Sequence, residues 1–287
     1  MKFSVSSYSF QRLLNNGTYT QLDLIKIVKD MGFDGIEFID LMPPEGVTDA
    51  EYAATLRKEA KKQGIEIVNY TIGADFLGEK GWEAEAERLF GQVDIAEILG
   101  AKGMRHDATG GFKGEDKKYK SFDSALPILA DGCRKVTEYA AKKGIATMVE
   151  NHGYFCQDSD RVEKLVNAVA NPNFGLLVDM GNFMCADDEP AKAVGKLASY
   201  AKFVHAKDFH VKSGSGPNPG DGFFRTRGGE YLRGAVVGQG NVPVYQCIQT
   251  LKRSGYEGYV SIEFEGVEDN LWAIKTGLEN LKRYAAE

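Results

Sequence analysis

Eight short apolar runs, at residues 3–8, 34–39, 65–72, 102–106, 145–150, 175–179, 203–208 and 259–265, alternate along the chain with longer segments of helical periodicity. The runs read as strands. The segments between them, at about 20–31, 48–63, 81–99, 122–143, 159–170, 187–200, 243–254 and 268–285, read as helices. Start and stop signals fall at the joints: Thr20 precedes the first helical segment, and Gly32, Gly64, Gly100 and Gly144 close four of them. Strands joined by helical crossovers pair in parallel, and continuously apolar strands are those covered on both faces. About eight such units suit a closed barrel better than an open sheet, and no Gly-rich dinucleotide fingerprint follows the first strand. The expectation is an α/β chain forming one (β/α)8 TIM barrel, with residues 1–287 as a single domain.

The alternation breaks once. Residues 209–240 hold many glycines and two prolines with little periodicity, which predicts a long loop after the seventh strand. A loop of that length inside a compact domain is usually functional. On a barrel it would cover the catalytic face.

Four runs end in a residue of metal-ligand type. MVENHG carries Glu150, LLVDMGN carries Asp179, KFVHAKD carries His205 and YVSIEFEG carries Glu263. The C-terminal ends of barrel strands form one rim, so these four, on strands five to eight, face a common centre. Each acidic residue alone fits a helix cap or a surface ion pair equally well. Four such residues on neighbouring strand ends point instead to one site. Three carboxylates and one imidazole suit a hard-to-borderline divalent ion: Mn²⁺ first, with Mg²⁺, Co²⁺ or Zn²⁺ as alternatives. Hydrolytic zinc centres usually offer more nitrogen, and the chain has only four histidines.

A net charge of −6 and a pI near 5.4 argue against a nucleic-acid surface, which needs a basic face. The four cysteines, Cys133, Cys156, Cys185 and Cys247, show no CxxC spacing and read as reduced thiols. MKFSVSSYSF is too short and polar for the core of a signal peptide, and no apolar run reaches spanning length. The expectation is a cytoplasmic protein whose partner is a small molecule, with no nucleic-acid or membrane partner.

The chain also resembles a known family. GFDGIEF (32–38), VENHG, VDMGNF (178–183), HAKD (205–208), RGAVVGQG (233–240) and GYEGYVSIEFEG (255–266) occur in the order seen in the xylose-isomerase-like barrel group. That group includes sugar isomerases, ketose 3-epimerases, inosose dehydratases and, more distantly, endonuclease IV. The resemblance covers essentially the whole chain. It implies that Glu150, Asp179, His205 and Glu263 bind a divalent metal that holds two neighbouring oxygens of a polyol or keto sugar. It implies further that Glu150 and Glu263 are catalytic. One removes the proton next to the carbonyl, the metal stabilises the enediolate, and the other returns a proton from the opposite face. A lyase or dehydratase of the same group shares the first half-reaction and expels a β-substituent. An endonuclease IV-like phosphodiesterase fits less well with the acidic charge and scarce histidines. Barrels of this group often form homo-oligomers, and no sequence feature fixes the number.

The substrate-binding candidates are His152, Asn182, Lys207, Arg233, His106 and Glu37. Asn182 is a departure, because the ketose 3-epimerases place a histidine three residues after the aspartate ligand. They also carry a glutamate shortly after the first ligand, where this chain reads His152, Tyr154 and Gln157. His152 is expected to contact a sugar hydroxyl or act as acid or base. Arg233 suits a pair of substrate oxygens. His210, Lys212, Arg225 and Arg227 form either a solvated loop face or an anion-holding cluster over the site. Lys207 and Asp208 are expected to pair beside the metal. His106, at the end of the fourth strand, is expected to reach the pocket, and Glu37 to bind hydroxyls or orient a neighbour. Tyr8, Phe10, Tyr70 and Phe183 are strand-end aromatics that either plug the core or wall the site.

Overall fold

Parallel strands β1 (Lys2–Ser6), β2 (Gly35–Ile39), β3 (Glu66–Ile72), β4 (Gly103–His106), β5 (Ala146–Glu150), β6 (Phe174–Asp179), β7 (Ala201–Ala206) and β11 (Tyr259–Ile262) close into one barrel, with β11 pairing back onto β1. This is seen in a computed structural model that describes residues 1–113 and 120–287. The crossover helices are α2 (Gln21–Met31), α3 (Asp49–Gln63), α4 (Gly81–Leu99), α5 (Phe122–Ala141), α6 (Ser159–Val169), α8 (Pro190–Leu197), α9 (Val244–Arg253) and α10 (Asn270–Ala286). Two short helices, α1 (Gln11–Asn15) and α7 (Asn182–Cys185), sit in loops. Thr20 and Thr48 cap α2 and α3, each bonding back to the third helical residue in a capping box. Among the described residues no helix is long and apolar enough to cross a membrane.

Side-chain alternation divides the barrel wall in two. Outward residues such as Ile36, Phe38, Val149 and Leu176 join the apolar layer beneath the helices. The inward residues differ with depth. A separate small cluster of Val68, Met148, Leu177 and Phe203 fills one end of the interior. Val68 is an extra residue inserted where the β2–β3 register shifts, between the Ile36–Ile67 and Glu37–Asn69 pairs. Toward the C-terminal ends the inward positions turn polar: Glu37, Asn69, Arg105, Glu150, Asp179 and His205 are all buried. Charges this deep persist only when paired or bonded to a ligand.

Residues 209–240, expected as a loop, contain a three-stranded antiparallel sheet: β8 (Asp208–Lys212), β9 (Phe224–Arg225) and β10 (Tyr231–Ala235), ordered β8–β10–β9. Its strands are short and mostly polar, so they carry little periodic signal. β10 lies against the segment after β11, and Gly234 is what allows that approach. A Cβ there would sit 2.5 Å from the Glu265 carbonyl carbon. Asp208 anchors the return of this excursion and does not pair with Lys207 as expected. Its carboxylate accepts the backbone N–H groups of Phe209, Gly238, Gly240 and Val242 at 2.8–3.0 Å. Gly240 is required beside it, since a Cβ would fall 2.2 Å from the Asp208 Oδ1. Asp208→Ala strands four backbone donors at once and is expected to cost about 3 kcal/mol in urea unfolding. A change under about 0.5 kcal/mol, the size of an ordinary surface substitution, would contradict this anchoring.

Candidate metal centre and active-site cavity

Glu150 ends β5, Asp179 ends β6, His205 lies on β7 and Glu263 directly follows β11. One ligand atom from each lies within 4.8 Å of the others, and all four residues are buried. The His205 Nδ1 stands 3.7 Å from Glu150 Oε1, 3.7 Å from Asp179 Oδ2 and 3.6 Å from Glu263 Oε1. Neither that Nδ1 nor Asp179 Oδ2 has a hydrogen-bond partner, although both are buried. Orphaned polar atoms converging on one point are costly unless something binds there.

The surroundings fix the direction of each ligand. The His205 Nε2 meets the Glu37 carboxylate at 2.7 Å, which turns Nδ1 toward the cluster. Glu37 in turn accepts from the Asn69 amide at 2.9 Å and the Thr71 hydroxyl at 2.5 Å. Burial opposes its ionisation, yet His205 and these donors hold its carboxyl below the ordinary range. Asp179 Oδ1 accepts the backbone N–H groups of Gly181 and Asn182 at 2.8 Å, leaving Oδ2 for the centre. Glu150 Oε2 pairs with the Arg105 guanidinium at 2.7 Å, and its Oε1 accepts from the Asn182 amide at 2.9 Å. Glu263 Oε2 pairs with Lys207, which also reaches Asn182 Oδ1 at 3.2 Å and Asp179 Oδ2 at 3.5 Å.

The electrostatics describe a cation-seeking point. Burial disfavours a charged His205, but Glu37 and then Glu263 raise its pKa well above the ordinary value. Burial and the neighbouring Glu150 and Asp179 raise the Glu263 carboxyl, despite Lys207 and His205. Glu150 is also disfavoured as an anion by burial, and Arg105 together with His205 and His152 more than reverses this, holding its carboxyl well below the usual range. Three carboxylates around one point repel each other unless positive charge stands among them. Oxygen-rich donors with two buried orphans therefore fit a hard divalent cation.

A cavity of about 260 Å³ opens onto this centre, lined by Tyr8, Ile39, Asp40, Thr71, Arg105, Asp107, Glu150, His152, Lys207, Glu263 and Glu265 among others. That is the small end of ligand pockets, with more polar wall than most. His152 stands half exposed at its edge, with Nδ1 3.0 Å from Asp107 Oδ1. Burial works against its charge, but this carboxylate raises the imidazole above its ordinary pKa.

Most of the expected residues meet here. Glu150, Asp179, His205, Glu263, Lys207, Asn182 and His152 adjoin the centre or the cavity, and Glu37 lies behind His205 as an orienting neighbour. Two do not. His106 is turned away: strand alternation points Arg105 inward and His106 outward. There its ring meets the edge of Phe76, and burial lowers its pKa to about 4. Arg233 lies on β10 over the Phe223 ring, 3.8 Å from Glu268, outside the cavity wall. The basic cluster is also dispersed. Arg225 bonds the Tyr231 hydroxyl, and Arg227 bonds Asp158 and the Tyr154 carbonyl, pinning the β9 region to the β5–α6 loop. Of the aromatics, Tyr8 walls the cavity, while Phe10, Tyr70 and Phe183 are core. Arg105, Asp107, Asp40 and Glu265 were not foreseen. Arg105 is the penultimate residue of β4, and only the phase of the strand decides that it, and not His106, faces inward.

A closed parallel barrel with a carboxylate-rich centre at its C-terminal mouth places this chain among barrels that build their sites from strand ends and the loops that follow them. The chain belongs to the xylose isomerase-like TIM barrel family, whose profile matches residues 25–284. It is 25% identical over 263 residues to an inosose dehydratase of Clostridium botulinum, covering 86% of this chain and 87% of that one. It is 22% identical over 262 residues to a putative L-ribulose-5-phosphate 3-epimerase, UlaE, of Shigella dysenteriae, covering 86% and 84%. Among solved structures, a xylose isomerase-like TIM barrel protein from Mycobacterium smegmatis in complex with magnesium superposes with a TM-score of 0.72. It is 16% identical, over 99% of this chain and 97% of that one. The relatives it matches in this family thus include an inosose dehydratase and a putative epimerase.

Proposed function

We propose that this protein is a divalent-metal-dependent isomerase or epimerase that moves a proton at the carbon next to the carbonyl of a small keto sugar or cyclitol. The observation that carries this is the convergence of Glu150, Asp179, His205 and Glu263 on one point at the floor of a sugar-sized polar cavity. Glu150, Asp179, His205 and Glu263 would hold the cation, Mn²⁺ or Mg²⁺ by donor type. When bound, it supplies positive charge that polarises a carbonyl and stabilises the oxyanion that develops there. The chain does the rest. Glu150 and Glu263 reach the cavity from β5 and from the end of β11, three strands apart around the rim. One takes the proton from the α-carbon and the other returns one from the opposite face. The configuration of the substrate decides which acts first. Arg105 and Lys207 keep the two carboxylates positioned, and Tyr8 with Ile39 and Ile72 supplies the apolar wall that excludes water.

A second reading is a dehydratase. The pairing of His152 with Asp107 beside the cavity favours it, because a charged imidazole there can protonate a departing hydroxyl. Turnover of keto sugars and keto cyclitols in deuterated water separates the two. An isomerase or epimerase returns deuterium-labelled sugar of unchanged composition, and a dehydratase releases a product lighter by one water. With neither exchange nor water loss across such a panel, the proton-transfer assignment fails.

A further inference from the structure

The charges around the cavity bear on the substrate, building on the proton-transfer reading above. Five carboxylates line it (Asp40, Asp107, Glu150, Glu263 and Glu265) against Arg105, Lys207 and the His152 imidazole, which is itself held by Asp107 at 3.0 Å. Among the described residues each of these positive groups is already paired with carboxylates. Arg105 is buried between Glu150 at 2.7 Å and Asp107 at 2.9 Å, and bonds the Ile72 carbonyl at 3.2 Å. Lys207 is buried among Glu263, Asp179 and Glu265. Further out, Lys113 closes on Asp75 at 2.7 Å and Arg88 on Glu85 at 2.8 Å.

The carboxylates are less committed. Asp40, after β2, is exposed and its side chain has no hydrogen-bond or ion-pair partner among the described residues. Glu265 has only the 3.6 Å contact with Lys207. Asp107 shares one oxygen between Arg105 and His152. These three acids stand after β2, after β4 and after β11, on separate parts of the rim. A cation at the four-residue centre balances the carboxylates at the floor and leaves the mouth acidic.

We infer that the substrate is uncharged. The mouth takes an unphosphorylated keto sugar or keto cyclitol, with Asp40, Asp107 and Glu265 accepting its hydroxyl hydrogens and repelling a phosphate or carboxylate. A phosphate-binding site needs donors such as an unengaged guanidinium or a run of backbone N–H groups. Here an incoming phosphate dianion would face carboxylates on several sides, and like charges at close quarters strongly disfavour binding. Hydroxyl groups suit the same acceptors well, since hydrogen bonds to charged oxygens are the stronger kind.

The test is calorimetric titration of the Mn²⁺-loaded protein with ketopentoses, ketohexoses and keto cyclitols, each beside its monophosphate ester, with deuterium exchange followed on the same ligands. At least one uncharged ligand is expected to bind, with its phosphate ester at least about 100-fold weaker. In Asp40→Asn and Glu265→Gln that ratio is expected to shrink at least about threefold, a readout that general loss of affinity does not mimic. A phosphate ester binding as tightly as its parent sugar overturns the inference, and so does a ratio unmoved in both variants. Selective binding of the uncharged ligand without proton exchange sustains the charge preference and sinks the proton-transfer reading. Exchange on a tightly bound phosphate ester does the reverse, and no binding by any ligand removes both.

Discussion

Glu263→Gln is expected to lower the rate of proton exchange at the substrate α-carbon by about 10³-fold, and Glu150→Gln by a similar factor. Glutamine keeps one oxygen toward the centre and removes the basicity. The fold has reason to survive either change. Without the Glu263 charge, Lys207 still has Asp179 at 3.5 Å, Glu265 at 3.6 Å and the Asn182 side chain at 3.2 Å. Without the Glu150 charge, Arg105 still has Asp107 at 2.9 Å and the Ile72 carbonyl. The two variants differ in which epimer they fail to deprotonate. Each should lose exchange with the substrate configuration that presents its proton to the missing base. Both rates must be measured on both epimers, with thermal unfolding as the control for folding. Unchanged exchange in either variant removes the two-base scheme, and loss of exchange with one shared epimer only would assign a single base.

The site was readable wherever its residues end strands of a regular repeat. Glu150 and Asp179 end their strands and Glu263 directly follows one, so position within the repeat alone places them on the rim. Where one residue of strand phase decides, sequence gave less. Arg105 and His106 are neighbours on β4, and the more obvious chemical group, the histidine, is the one that faces Phe76. Asp208 follows Lys207 directly and invited an ion pair. Three of its four partners are backbone N–H groups thirty or more residues on, which no local pattern encodes. β8, β9 and β10 escaped notice for the same reason: strands of two to five residues paired across a long connection are held by non-local contacts. Arg233 lies in a family-like motif, yet the register that pairs it with His210 leads it to Phe223 and Glu268. Motif order carried the fold faithfully, and side-chain direction had to come from pairing register.

Removing the divalent metal should abolish exchange altogether and also make the protein measurably less stable. The stability effect follows from the orphaned atoms: His205 Nδ1 and Asp179 Oδ2 are buried without hydrogen-bond partners, so a cation held there would bind the folded chain and not the unfolded one. At about 100 times its dissociation constant a ligand contributes roughly 2.7 kcal/mol. For a chain this size that corresponds to a melting temperature higher by about 4–5 °C. Mn²⁺, Co²⁺ and Mg²⁺ should restore both properties to chelated protein. Ca²⁺ should do so poorly, because it seeks 6–8 oxygen ligands at longer distances than four buried side chains provide. Glu37 supplies a check independent of turnover. Its carboxylate fixes His205 through a 2.7 Å bond without lining the cavity, so Glu37→Gln should weaken Mn²⁺ affinity about 10–100-fold in a direct binding titration. Full exchange activity in rigorously metal-free protein would contradict the metal assignment. Unaltered Mn²⁺ affinity in the Glu37 variant would instead leave the metal in place and show that His205 is oriented by the strand alone.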